Sequence, residues 1–338
     1  MTKVDDVLNG ALRKTPLLAT EVAYRGVTQR FAIKFEQDGR TGSVKDRTAV
    51  GLLRQLHREC PLTPGTVVIE STSGNLGLAL ARILTALDCK FIAVIDPKTP
   101  GPTREKLMAT CAQVIVVDET DGLGGYLMSR LETVKRLCAE NPDYRWPNQY
   151  GNWAAPEVHE LTTGPEIVEQ AGPDLGAVYV PVSTGGTFAG IANHLRNVRP
   201  DVAAVAVDLE GSVALGGDPG DRLLPGIGAS RPSTFVRPGL YHHAVLVEPC
   251  EAIAVCRILL EDLGLALGGS SGCTIRALVA DMAQGLTTLL AVCLAADGGG
   301  KYLDTVYSDD WADRTGVRED VDLAVKRFRN EGLHCGWR

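Results

Sequence analysis

Short β-branched runs recur along the chain, separated by longer stretches whose apolar positions fall at helical spacing. Runs at 31–35, 67–69, 91–95, 114–117, 178–180, 203–207, 244–247 and 289–294 read as strands. Between them, Ala49, Leu52, Leu53 and Leu56 share one helical face. Phe188, Ile191, Leu195 and Val198 form another stripe, ended by Pro200. The stretch 76–87 is apolar on nearly every side, which predicts a buried helix. Strands alternating with helices predict an α/β fold with mainly parallel sheets covered on both faces. The units cluster before and after about residue 150, which predicts two lobes. Beyond Trp311 the chain is charged and reads as a helical tail on the surface.

Composition changes this picture little. Hydrophobic residues make up 45% of the 338 and charged residues 22%, as in ordinary globular proteins. A net charge of −7 argues against nucleic acid as the main partner. No apolar run is long enough to span a membrane, and the first residues lack a signal-peptide core, so no membrane partner and a cytoplasmic location are expected. Nine cysteines are scattered from Cys60 to Cys335 without a paired C-x-x-C pattern, and no metal site is expected.

In parallel α/β sheets, ligands bind beyond the carboxyl ends of the strands, where a loop opens a helix. Three such loops are unusual. In the first, Gly39 to Arg47, Lys45 stands where loop meets helix. The positive end of the helix dipole there disfavours an ammonium, and a lysine with a lowered pKa forms imines readily. Alone, this would be a solvated basic turn. The second, Glu70-Ser71-Thr72-Ser73-Gly74-Asn75-Leu76-Gly77, gathers hydroxyls, an amide and two glycines at a helix start. That suits a carboxylate, and plain N-capping accounts for only one of the hydroxyls. The third, Ser183-Thr184-Gly185-Gly186-Thr187, can close backbone N–H groups around a phosphate. It lacks the lysine of a P-loop and the G-x-G-x-x-G of a dinucleotide site, so the phosphate belongs on a small cofactor.

The three loops in this order, with Gly269-Ser270-Ser271-Gly272, resemble fold-type II pyridoxal-phosphate enzymes of the cysteine synthase family, from Thr15-Pro16-Leu17 to about Trp311. The resemblance implies a two-lobed three-layer α/β/α fold. Residues 45–150 would form the smaller, substrate-binding lobe, 1–44 with 151–320 the larger, cofactor-binding lobe, and 321–338 a tail. It also implies pyridoxal 5′-phosphate as cofactor, amino-acid substrates and a homodimer. Lys45 would hold the cofactor as a Schiff base and move the proton at the substrate's Cα. Asn75 would meet the cofactor's 3′ oxygen, and Ser183, Thr184, Gly185, Gly186 and Thr187 would hold its phosphate. Ser270 would face the ring nitrogen, its neutral hydroxyl weakening the electron sink in a way that suits β-elimination. Thr72, Ser73, Gly74 and Gln149 would bind the substrate carboxylate.

Several positions depart from ordinary cysteine synthases, among them Gly39-Arg40-Thr41, Leu76, Tyr150 and Ser183. Together with the runs 124–130, 224–231 and 302–309, they resemble a narrower group, the N-(2-amino-2-carboxyethyl)-L-glutamate synthases. That resemblance implies O-phospho-L-serine as substrate, L-glutamate as nucleophile, and a 2,3-diaminopropionate precursor for a siderophore as product. Arg130, Tyr150, Ser183 and Arg231 would then bind the additional anionic groups. For Arg130 and Arg231, a surface position explains the residue equally well. A cysteine or S-sulfocysteine synthase is the alternative reading.

Overall fold

A computed structural model of the chain describes residues 2–72, 74–122 and 125–338. Its strands are β1 (Leu17–Tyr24), β2 (Val27–Phe35), β3 (Val67–Ser71), β4 (Lys90–Ile95), β5 (Gln113–Val116), β6 (Leu175–Pro181), β7 (Ala203–Leu209), β8 (His243–Val247), β9 (Leu290–Ala295) and β10 (His334–Trp337). Among the described residues they form two sheets. One has three parallel strands in the order β3-β4-β5, and the other seven in the order β10-β1-β2-β9-β6-β7-β8. Within the larger sheet only the pairings of β1 with β2 and with β10 are antiparallel. The predicted fold class, two α/β lobes with mainly parallel sheets, is the one observed.

Both sheets are covered on both faces, and the pleat shows how. In β9, Ala291, Cys293 and Ala295 enter one core while Val292 and Leu294 enter the other. β7 divides likewise, with Val205, Val207 and Leu209 opposite Ala204 and Ala206. In β4, Phe91, Ala93 and Ile95 face one layer and Ile92 and Val94 the opposite one. Successive side chains point to opposite faces, so a strand buried twice must be apolar at nearly every position.

Two segments differ from expectation. The N-terminal helix Lys3–Ala11, assigned by the sequence reading to the larger lobe, packs Val4, Leu8 and Ala11 into the core of the three-stranded sheet. The C-terminal segment is not a surface tail. The helix Arg318–Asn330 buries Val321, Ala324 and Phe328 in the large core, and β10 then pairs with β1. Its apolar stripe is narrow, three positions among many charges, so composition conceals it.

Candidate active site

Five loops converge at the carboxyl ends of the parallel strands, as the fold requires. They lie between β2 and the helix Lys45–Glu59, β3 and the helix Asn75–Ala86, and β6 and the helix Gly186–Val198, then before the helix Gly269–Ala283 and after β9. Together they enclose a cavity lined by Lys45, Thr72, Gly74, Asn75, Gln149, Ser183, Thr184, Gly185, Thr187 and Ser270. All of these were singled out in the sequence. Gly186 follows as the first residue of its helix. Ser73 lies outside the described residues.

Lys45 is the first residue of its helix, in a tightly tied loop. The Val44 N–H donates to the Ala296 carbonyl at 2.8 Å, and Thr41 donates its backbone N–H and its hydroxyl to the Asp46 carboxylate at 2.8 and 2.7 Å. Protein surrounds the amine and its remaining exposed surface faces the cavity. Burial lowers its pKa from 10.5 to about 8, while the Asp297 charge pulls the other way. Loss of solvation is therefore the main cause, where the sequence suggested the helix dipole.

The phosphate-type loop has the required shape. Gly185 caps the helix Gly186–Val198 with φ +91°, and an added Cβ would lie 2.1 Å from Ser233 Oγ. Only glycine fits there. Ser233 braces the loop from outside, donating to the Thr184 carbonyl at 2.8 Å. Thr187 shares a buried imidazole with the lysine helix: His159 Nε2 lies 3.2 Å from its hydroxyl and 2.9 Å from that of Thr48. Burial holds His159 well below its usual pKa, so it is neutral.

On the opposite wall, Thr72 Oγ1 accepts from the N–H groups of Gly74 and Gly77 at 3.2 and 3.0 Å. The hydroxyl thus caps the helix while its own proton stays free to donate. Gln149 Nε2 donates to the Ser71 carbonyl at 2.7 Å. Glu70, fully buried behind both, accepts from Trp146 Nε1 and from the N–H groups of Ser71 and Gln149 at 3.1, 2.9 and 3.1 Å, and burial pushes it up to about 7. Ser270 Oγ reaches the cavity with no partner among the described residues.

A second, outer chamber of about 470 Å³ adjoins the first and shares with it Pro100, Tyr150, Ser183, Pro225, Gly226 and Tyr302. Arg130 is on its wall and 5% exposed. Its Nε lies 3.2 Å from Asp96 Oδ2, and neither Nε nor Nη1 has a hydrogen-bond partner among the described residues. Tyr150 stands beside it, its phenol pushed up by burial against the pull of the Arg130 charge. Ser183 donates to the Gly228 carbonyl at 3.0 Å, tying the chamber's rim. Arg231 lines neither cavity; its guanidinium meets Thr234 Oγ1 at 3.2 Å. Arg222, nine residues earlier, lines the chamber instead, bonded to Ser230 Oγ at 2.8 Å. Asp297 and Lys301, which line the inner cavity, carry no expectation from the sequence, and Tyr302 beside them entered only as the first residue of the run 302–309. Their signal was present, since a glycine-rich run bearing charges follows the strand β9.

A buried amine of lowered pKa, a glycine cradle that a Cβ would fill and a neutral hydroxyl at a helix start fit pyridoxal 5′-phosphate. The family model for pyridoxal-phosphate dependent enzymes matches residues 8–293. Over 302 residues the chain is 39% identical to an N-(2-amino-2-carboxyethyl)-L-glutamate synthase of Ralstonia nicotianae, covering 89% of each protein. Among solved structures it resembles the O-acetylserine dependent cystathionine beta-synthase of Helicobacter pylori, with 27% identity, a TM-score of 0.80, and 89% of this chain and 98% of that one covered. It also resembles a hydrogen sulfide-producing enzyme of Fusobacterium nucleatum, with 27% identity, a TM-score of 0.79, and 88% and 99% covered. By its sequence, its fold and the chemistry of its inner cavity, the chain belongs to the pyridoxal-phosphate dependent enzymes.

Proposed function

We propose that this enzyme replaces the β-substituent of O-phospho-L-serine with the amine of L-glutamate. The product is N-(2-amino-2-carboxyethyl)-L-glutamate, a 2,3-diaminopropionate precursor for a siderophore or peptide natural product. The observation that carries this reading is the outer chamber, with the buried Arg130 guanidinium on its wall and Tyr150 and Ser183 lining both it and the cavity of Lys45. Sulfide needs no such chamber. An amino dicarboxylate does, and a guanidinium meets a carboxylate or phosphate in charge-assisted bonds. The name of the Ralstonia relative points the same way.

When bound, the cofactor supplies an electron sink that weakens the bonds at the substrate's Cα. Lys45, with its pKa near 8, holds the cofactor and, once released, takes and returns the Cα proton. The Gly185 turn and the helix behind it would hold the phosphate, and Ser270 and Asn75, which line the same cavity, would offer their hydroxyl and amide to the cofactor's ring. Thr72 donates its hydroxyl proton to the substrate carboxylate beside Gln149, with Ser73 and Gly74 in the same loop. Tyr150 and Ser183 form the neck between the chambers, and Arg130 and Arg222 receive the nucleophile's carboxylates beyond it.

Among the described residues, no helix is long and apolar enough to cross a membrane. A homodimer fits the exposed Trp153 and Leu161 at the two ends of one short helical segment, and sedimentation would test it.

The deciding experiment is mass spectrometry of products from O-phospho-L-serine or O-acetyl-L-serine offered glutamate, other amino acids, sulfide and thiosulfate. The expected product couples the alanyl unit to glutamate; a sulfur product alone would overturn the reading. Arg130→Met should raise the KM for glutamate by about tenfold or more, the loss of one charge-assisted bond. An unchanged KM would remove Arg130 from the nucleophile site.

A further inference from the structure

The inner cavity contains a charged cluster that none of these roles uses. Asp297, 3% exposed, follows β9. Its Oδ2 accepts from Asn75 Nδ2 and from the Tyr302 hydroxyl, both at 2.7 Å, and lies 3.2 Å from Lys301 Nζ. Lys301 donates in turn to the Asn75 amide oxygen. The backbone around Asp297 is equally committed. Its carbonyl accepts from the Gly268 N–H at 3.1 Å, and Ser43 pairs with it in an isolated bridge. A methyl group on Gly268 would lie 1.8 Å from Asp297 Oδ1, so the carboxylate is wedged against bare backbone. Asp297 thus joins the lysine loop and the start of the Ser270 helix through its backbone, and the Asn75 loop that follows β3 through its carboxylate.

A side-chain amide alone can turn end for end, exchanging donor for acceptor at little cost. Here both ends are specified. The Asn75 nitrogen meets a carboxylate and its oxygen meets an ammonium. Reversing the amide would set oxygen against carboxylate and N–H against ammonium, replacing two attractions by two repulsions. In the observed orientation one amide N–H goes to Asp297, and the second remains for the cavity that Asn75 lines. Lys301 and Asp297 carry opposite charges, so together they orient the amide without adding net charge to the site.

We propose that Asp297 and Lys301 are positioning residues that fix the Asn75 amide so that its second N–H is presented to the bound cofactor. This rests on Asn75 facing the cofactor, as read above. The test is a double-mutant cycle on cofactor affinity, measured by titrating pyridoxal 5′-phosphate into the cofactor-depleted protein and following the visible band. Asn75→Ala should weaken binding about tenfold, and Asp297→Asn by a similar factor. The double variant should bind within about twofold of Asn75→Ala, because Asp297 acts through the amide already removed. The Asp297 charge also reaches Lys45, so Asp297→Asn should displace the visible band in both backgrounds but by less in Asn75→Ala, whereas a merely structural role would lower the melting temperature and leave the band in place. Losses that multiply to about a hundredfold, or full affinity in Asp297→Asn beside a weakened Asn75→Ala, would overturn the proposal alone. An unaffected Asn75→Ala would overturn the reading of Asn75 and the proposal with it. Lys301→Met serves as the second variant if Asp297→Asn does not fold, with the same cycle and the same outcomes.

Discussion

Arg47 stands two residues beyond Lys45 and anchors its helix through buried charges. Its Nε lies 2.9 Å from Glu36 Oε2, and Nη1 and Nη2 each lie 2.7 Å from a Glu166 oxygen. Arg47 and Glu36 are 3% and 1% exposed, so water screens neither. Arg47→Met keeps most of the side chain's length and removes its charge. Glu166 then retains the Lys34 hydrogen bond at 2.7 Å, whereas among the described residues Glu36 retains one side-chain hydrogen bond, from the Thr15 hydroxyl at 2.6 Å, and the more distant Lys34 charge. An orphaned buried charge of this kind costs about 3–5 kcal/mol. Unfolding entropy of about 2.1 cal/mol/K per residue gives about 0.7 kcal/mol/K for a chain of 338 residues, so the melting temperature should fall by about 4–7 °C. Adding Glu36→Gln removes the orphan and should restore about half of the loss or more. Calorimetry of the cofactor-loaded proteins at equal protein and cofactor concentrations measures both changes. A single-variant shift below about 1 °C, or no recovery in the double variant, would refute the reasoning.

Gly185→Ala combines φ +91° with a Cβ 2.1 Å from Ser233 Oγ, and should weaken retention of pyridoxal 5′-phosphate about tenfold or more, read by dialysis and absorbance. In the cofactor-depleted protein, amine labelling of Lys45 followed by mass spectrometry should show a midpoint near the pKa of about 8, well below the ordinary 10.5; a midpoint at the ordinary value would contradict the burial argument. Glu70, pushed by burial from 4.5 up to about 7, keeps in the folded state a proton that the unfolded chain releases between those values. Stability should therefore fall as pH rises through that window, and Glu70→Gln should flatten that part of a plot of urea midpoint against pH.

How much of this was legible in the sequence depends on the range of the interactions. The runs at 67–69, 91–95 and 203–207 lie within β3, β4 and β7, because a strand buried on both faces is marked by its own residues. The loops bearing Lys45, Thr72, Gly185 and Ser270 were legible for a related reason: each is a local strand-to-helix or loop-to-helix junction of unusual composition. β1, β10 and the membership of the first helix were not legible, since their burial is decided by partners distant in the chain: each other, about 300 residues apart, for the two strands, and the helices Lys45–Glu59 and Asn75–Ala86 for the first helix. Arg222 and Arg231 show the same limit. Both lie in one irregular loop, and only the path of the backbone decides that Arg222 enters the outer chamber while Arg231 turns to Thr234. Asp297 and Lys301 were passed over because only a single 3-10 turn, with no apolar stripe, follows β9 there, although their neighbours in space come from three other loops.

The pairing of β1 with β10 also orders events in time. β1 leaves the ribosome about 300 residues before residues 334–337, the strand that covers its outer edge. Every element feeding the core on one face of the three-stranded sheet, apart from Ala155, lies within residues 3–116, so that core can assemble on the nascent chain. The seven-stranded sheet cannot close before its last strand is made. During that interval the edge of β1 is open to pairing with another chain, and the interval lengthens with every translational pause between the two strands.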